Sequence, residues 1–367
     1  MIEVADVLRQ YGPAYLEQFA DKMPASHRRA FEDILRCRTA ALGGHLYECN
    51  ECGRQHYSYH SCRNRSCPKC HAGETRAWLQ QRQAELLPVP YYHVIFTLPQ
   101  ELRGVTRLHQ KRLYGLVMQS AAHALLKRAA DAHYVGGLVG VMAVLHTWGS
   151  TLAYHPHVHC LVTGGGVSVD RQEWRPARED YLVPVKALSK LFRGMVLDQI
   201  QRQFPEIELP SSLRQKDWVV HCKPAVQGTE KVLAYLGRYI HRVAITNSRI
   251  LSIDDGKVTF RYRDSRTAET KTMTLDANEF IRRFLQHVLP RGVHKVRYYG
   301  LWSPSHRDDL HIWQDRLTKP SADERRPSRL DRAMEMSSPL PAQPCPYCKT
   351  GTLIWIRRLL AQGRAPP

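Results

Sequence analysis

Two short cysteine pairs, Cys49-x2-Cys52 and Cys67-x2-Cys70, stand 14 residues apart in GGHLYECNECGRQHYSYHSCRNRSCPKCH, residues 43–71. So few aliphatic side chains lie between them that this stretch cannot hold itself together by burying apolar surface alone. From a tight turn each pair offers two thiolates to one ion. Two such turns complete a tetrahedral zinc site, which supplies the missing folding energy. Cys62, between the pairs, can replace one ligand, and Cys37, His45 and Cys62 are candidates for a second zinc. A third pair, Cys345-x2-Cys348, is half a site that pairs with ligands elsewhere, binds a second chain, or stays incomplete. Cys160 and Cys222 sit in apolar strands and are expected to be buried thiols.

Lys and Arg number 53 against 34 Asp and Glu, a formal charge of +19 spread along all 367 residues. That excess favours a polyanion, because each neutralised phosphate releases counterions. Arg54, Arg63, Arg65 and Lys69 crowd the cysteine pairs, as expected of a zinc module that touches DNA phosphates or base edges. A purely structural clip is the alternative. There is no run of ~18 apolar residues and no apolar signal core, so the expected location is the cytoplasm, with no membrane partner. Ten cysteines in that compartment read as metal ligands or buried thiols, not disulfides.

Apolar spacing predicts helices over residues 1–42, 74–88, 101–133 and 184–203. A further helix is predicted over 229–245, and another starts near Asp276. Strands are predicted over 89–99, 137–150, 157–169 and 217–225, with a hairpin at 249–264 that turns at Asp254-Asp255-Gly256. Residues 315–344 shift to Pro, Ser, Arg and Asp and read as a flexible linker. The expected organisation is a helical and zinc-binding DNA-recognition domain (1–73), a catalytic domain (74–314), that linker, and a C-terminal CxxC tail (345–367) that ends in a short strand.

AYHPHVHC, residues 153–160, sets His155, His157 and His159 at alternate positions, hence on one face of a strand. A hairpin centred near residues 151–152 puts His157 opposite His146, with Cβ atoms ~5 Å apart. His146, His157 and His159 are then candidate ligands of a divalent ion, and Val158 points to the core. KVLAYLGRYIHR places Tyr235 and Tyr239 one turn apart on a helix that also carries Lys231, Arg238, His241 and Arg242, cations suited to phosphates. A phenol with a pKa near 10 is a weak nucleophile and needs help. A metal on the histidine face would polarise a phosphodiester for its attack.

HVH followed by YLGRY resembles the two-tyrosine HUH endonucleases. With SCRNRSCPKC, LHTWGSTLAYHPHVHCLVTGGG, YLGRYIHRVAITNSRI and EFIRRFLQHVLPRGVHKVRYYG, most of the chain resembles the bacterial rolling-circle insertion-sequence transposases, relatives of helitrons. The resemblance implies an α/β (α+β) ferredoxin-like sheet with flanking helices. It also implies metal-dependent cleavage of single-stranded DNA and strand transfer through a 5′-phosphotyrosine. It carries the nucleophile role onto Tyr235 and Tyr239 and the metal role onto His157 and His159. The third ligand varies within the family: His146 is the geometric choice, His221 and His241 its rivals. Mg²⁺ or Mn²⁺ is the implied catalytic ion, beside structural Zn²⁺, and a host replication helicase is a candidate partner. A replication initiator or relaxase with the same chemistry, and a non-catalytic zinc-dependent DNA-binding protein, are the competing readings.

Overall fold

The structure is a computed structural model that describes residues 1–70, 78–79, 82–226, 232, 237, 243–264, 267–318 and 343–362. Two helices open the chain, α1 (Val4–Phe19) and α2 (Ala25–Arg36). Val4, Val7, Leu8, Phe31 and Ile34 recur at helical spacing and bury one stripe. A hairpin follows, β1 (Gly44–Cys49) and β2 (Gln55–Tyr59). Periodicity hides these strands, because polar and aromatic residues alternate there without an apolar face.

The central unit runs β3 (Tyr91–Thr97), α3 (Arg103–Leu108), α4 (Gln110–Ala129), β4 (Leu138–Trp148), β5 (Tyr154–Val167) and β6 (Trp174–Pro176). It continues with α5 (Val185–Gln203), α6 (Ser212–Gln215) and β7 (Val220–Val226). Beyond these, β11 (Val296–Gly300) joins the same sheet, whose order is β11-β4-β5-β3-β7, with β6 beside β5. Every pairing is antiparallel. Setting aside β6 and β11, four strands and two helical crossovers give the ferredoxin-like α+β arrangement that was expected. One face buries Val94, Phe96, Leu145, Val158 and Cys160 against Leu113, Val117 and Leu125 of α4 and Phe192 of α5. Cys160 is fully enclosed as expected; Cys222, on β7, is only partly so. At the far end of β5, a Cβ on Gly164 would sit 2.6 Å from the Pro90 carbonyl oxygen, so the chain can pass there only as glycine.

A second antiparallel sheet comprises β8 (Ile250–Asp254), β9 (Lys257–Arg263) and β10 (Thr270–Asp276). The expected hairpin is its first two strands. The third is an edge strand in which only Met273 and Leu275 turn to the core, too short an alternation to predict a strand. Helix α7 (Ala277–Leu285) starts at Asp276, whose carboxylate accepts the Asn278 N–H at 2.8 Å. Val258, Phe260, Phe280 and Ile281 from this unit pack on α1 and α2. Helix α8 (Arg307–Leu317) crosses the start of the expected linker, most of which lies outside the described residues. The last strand, β12 (Leu353–Leu359), pairs with β1, so the C-terminal segment shares a three-stranded sheet with the N-terminal hairpin. Among the described residues, no helix is long and apolar enough to cross a membrane.

Candidate metal centres

The β4–β5 hairpin pairs Trp148 with Tyr154 and His146 with His157. Its turn is closed by Leu152, buried and held at φ 61°. Directly opposed residues share a face, so His146 stands beside His157, and His159 follows two residues along. Ring centroids are 5.4 Å apart for His146–His157, 4.4 Å for His146–His159 and 4.8 Å for His157–His159. One nitrogen from each of the three lies within 4.8 Å of the others. His146 and His159 are 2% and 7% exposed, which is deep for imidazoles.

Two hydrogen bonds set the tautomers. His157 donates Nδ1–H to the His155 carbonyl at 2.7 Å, which puts the lone pair on Nε2. His159 Nδ1 lies 2.8 Å from Nε2 of His93 on β3. Burial, then Lys223 and His157, lower the His93 pKa to about 4, so this imidazole is neutral and can accept the His159 proton. A ligand imidazole held through its second nitrogen is the usual arrangement at metal centres. Sequence reasoning missed His93: a lone histidine in an apolar strand gives no signal until the β3–β5 register is known. His155 lies outside the triad and accepts from Arg103 at 2.9 Å. His221 is two strands from His159, with Ile95 between them, and is not part of the group.

Most of the helix expected over 229–245 lies outside the described residues, and with it Lys231, Tyr235, Arg238, Tyr239, His241 and Arg242. Val232, three residues before Tyr235, is helical and 1% exposed. It packs in one cluster with Met142, Val144 and Leu161. Met142 and Val144 stand four and two residues before His146 on β4, and Leu161 two residues after His159 on β5, so all three lie on the histidine face.

The two cysteine pairs do not close on one ion. Cys67 and Cys70 gather with Cys37 and Cys62; Cys49 and Cys52 gather with Cys345 and Cys348. The reason is the unpredicted hairpin. Cys49 and Cys52 sit at its turn, whereas Gly43 and His60 at its base lie beside the Cys37 end. The five steps of ~3.3 Å from Gly44 to Cys49 hold the two ends ~16 Å apart. His45 ligates neither group; it lies on a strand face 3.3 Å from the Trp355 indole nitrogen.

Zinc–sulfur bonds of ~2.3 Å in a tetrahedron put sulfurs ~3.8 Å apart, against ~2.05 Å in a disulfide. The observed separations are 3.5 Å for Cys37–Cys70, 3.6 Å for Cys62–Cys70, 3.6 Å for Cys49–Cys348 and 3.8 Å for Cys52–Cys345. Both sets fit the ion. In the first, hydrogen bonds from Cys62 and Cys67 pull the Cys37 thiol down, and Cys62 and Cys67 are pushed up in turn. Thiols packed this closely oppose one another's ionisation, a conflict a central dication relieves.

The basic residues of the zinc module are placed unequally. Arg65 donates to the carbonyls of Val293, Leu289 and Pro290 at 2.6–2.8 Å, tying the module to the segment after α7. Lys69 is ion-paired with Glu3. Arg63 and Arg54 are exposed, and the Arg54 guanidinium stands 5.5 Å over the Tyr347 ring.

An α+β sheet bearing an imidazole triad, joined to a two-centre cysteine module, matches two family models. Residues 140–309 match one described as "Putative transposase", and residues 7–98 match a transposase zinc-binding domain. The chain is 40% identical to the "Putative transposase y4qJ" of Sinorhizobium fredii, over 96% of this chain and 94% of the relative. It is 29% identical to the transposase for insertion sequence element IS801 of Pseudomonas savastanoi pv. phaseolicola, over 73% of this chain and 68% of the relative. No solved structure matches. The chain belongs to the IS91-type rolling-circle transposase family and carries that family's zinc-binding domain.

Proposed function

We propose that this transposase cuts single-stranded DNA at element ends and joins it to a new strand through a 5′-phosphotyrosine on Tyr235 or Tyr239. A divalent ion held by His146, His157 and His159 would polarise the scissile phosphate. Three nitrogen donors suit Mn²⁺ better than Mg²⁺.

The tyrosine oxygen attacks phosphorus and forms the P–O bond. The bond to the 3′-oxygen breaks, and that oxygen leaves with a proton as a 3′-OH. Attack by another 3′-OH on the phosphotyrosine reverses the exchange and returns the phenol. The observation that carries the reading is the imidazole triad on the β4–β5 ribbon, His146 and His159 buried and His157 half-buried, with Val232 of the tyrosine-bearing segment packed on the same face. Arg238 and Arg242, from that segment, would hold flanking phosphates.

The test is incubation of the protein with an element-end oligonucleotide and Mn²⁺, followed by a denaturing gel. A protein–DNA adduct is expected, lost in the Tyr235→Phe/Tyr239→Phe double variant. It should also be lost in His157→Ala and His159→Ala, whose zinc content stays that of the wild type. An adduct that survives the double tyrosine change would sink the assignment. Zinc loss in the histidine variants would mean that the two kinds of centre share ligands.

A further inference from the structure

The ribbon β12–β1–β2 presents an aromatic and basic face. Tyr47 is directly opposite both Trp355 and His56, and His45 is opposite both Arg358 and Ser58. These residues form two rows across three strands, because opposed residues share a face. Tyr347, from the C-terminal cysteine turn, lengthens the first row, its ring 6.4 Å from His56. Trp355 is 56% exposed and Tyr347 50% exposed. The two rows contain no carboxylate; Arg358 stands in the second, and the Arg54 guanidinium lies over the Tyr347 ring at the end of the first.

We propose that this face is a stacking platform for the unpaired bases of a DNA strand. Aromatic faces offer every base the same π-surface, and interleaved guanidinium groups meet the phosphates between bases. Strands ~4.8 Å apart space the rings more widely than bases in a duplex, so the bases must come apart to use the row. A duplex keeps its bases stacked on one another and cannot do this. The net charge of +19 and the cations beside the rings favour DNA over an apolar protein partner. Because Trp355 and Tyr347 come from the C-terminal segment and Tyr47 and His56 from the N-terminal hairpin, the platform exists only when the two ends of the described chain are joined. The inference rests on the single-stranded substrate proposed above.

The experiment is fluorescence anisotropy on the full zinc-loaded chain, without Mn²⁺, using a labelled 15-nucleotide oligothymidylate and a 15-base-pair duplex. Trp355→Ala should weaken single-strand binding about tenfold and duplex binding less than twofold. Trp355→Phe should keep most of the affinity and lose the part of the tryptophan quenching that the wild type shows on binding. Tyr347→Ala, in a turn outside the sheet, should weaken single-strand binding severalfold with zinc content unchanged, and decides the matter if Trp355→Ala does not fold. Unchanged single-strand affinity in a folded variant, or an equal loss for the duplex, overturns the proposal. So does a dimer that dissociates in Trp355→Ala while DNA binding stays the same. Adduct formation is scored separately: its absence in the wild type removes the nuclease reading and leaves this binding result standing.

Discussion

His287, the residue that follows Gln286 just past α7, accepts from the Thr147 hydroxyl at 3.2 Å and donates to the Leu152 carbonyl at 3.1 Å. It thereby ties α7 to the turn that aligns His146 with His157. Burial drives its pKa down to about 3. The unfolded chain protonates this ring near 6.5 and the folded one does not. The stability it contributes is therefore complete above pH 6.5 and is lost as pH falls towards 3. At pH 5 the loss is about 2 kcal/mol, from roughly 1.5 pH units at about 1.36 kcal/mol each. His27, lowered to about 4 by burial and then by Arg107, adds a loss of the same sign. Urea denaturation at pH 7 and pH 5 checks this. His287→Gln should be less stable than the wild type at pH 7 yet fall less between the two; an equal fall would assign the acid sensitivity elsewhere. No histidine pattern announces this residue, since its partners arrive from β4 and the β4–β5 turn.

At the scale of elements, face alternation does most of the positioning. In the double variant His157→Val/Val158→His the composition is constant and only the faces change. It puts an imidazole beneath α4, where Val158 is fully buried, and removes one from the triad. The expected result is loss of Mn²⁺ binding by calorimetry and about 1–3 kcal/mol of stability, the cost of burying a polar group without a partner. Retention of both would mean that the hairpin does not hold its register. Asp276→Ala, which removes the cap of α7, should cost about 1 kcal/mol in a thermal melt with metal binding intact. The β4–β5 hairpin was legible because its apolar runs, a short turn and alternating histidines agree, and the pairing of His146 with His157 follows from its centre. β1, β2 and β10 were not, because edge and ribbon strands that are mostly polar carry too short a periodic apolar signal.

Across the whole molecule, the two cysteine groups predict two zinc ions per chain. Cys345→Ser/Cys348→Ser should lower the zinc content by mass spectrometry from two to one and leave the histidine centre able to bind Mn²⁺. Two zinc ions retained in that variant would contradict the pairing of the chain's ends. Each half of that centre was visible as a CxxC pair, but which halves meet was not. With three pairs and lone cysteines at hand, sequence proximity favoured Cys49 and Cys52 with Cys67 and Cys70, whereas the length of β1 keeps them apart and β12 delivers Cys345 and Cys348 instead.

The residue order alone was enough for whatever depends on neighbours along the chain: helices α1, α2, α4, α5 and α7, the inner strands of the large sheet, the face shared by His157 and His159, and the thiol chemistry. Those properties follow from backbone geometry with fixed periods, 3.6 residues for a helix and two for a strand. It took the folded chain to settle which thiols lie close enough to share an ion, that His93 supports His159, and that the two ends of the described chain build one sheet. These are contacts between residues up to about 300 positions apart, and their energy comes from pairing and burial that no local pattern encodes.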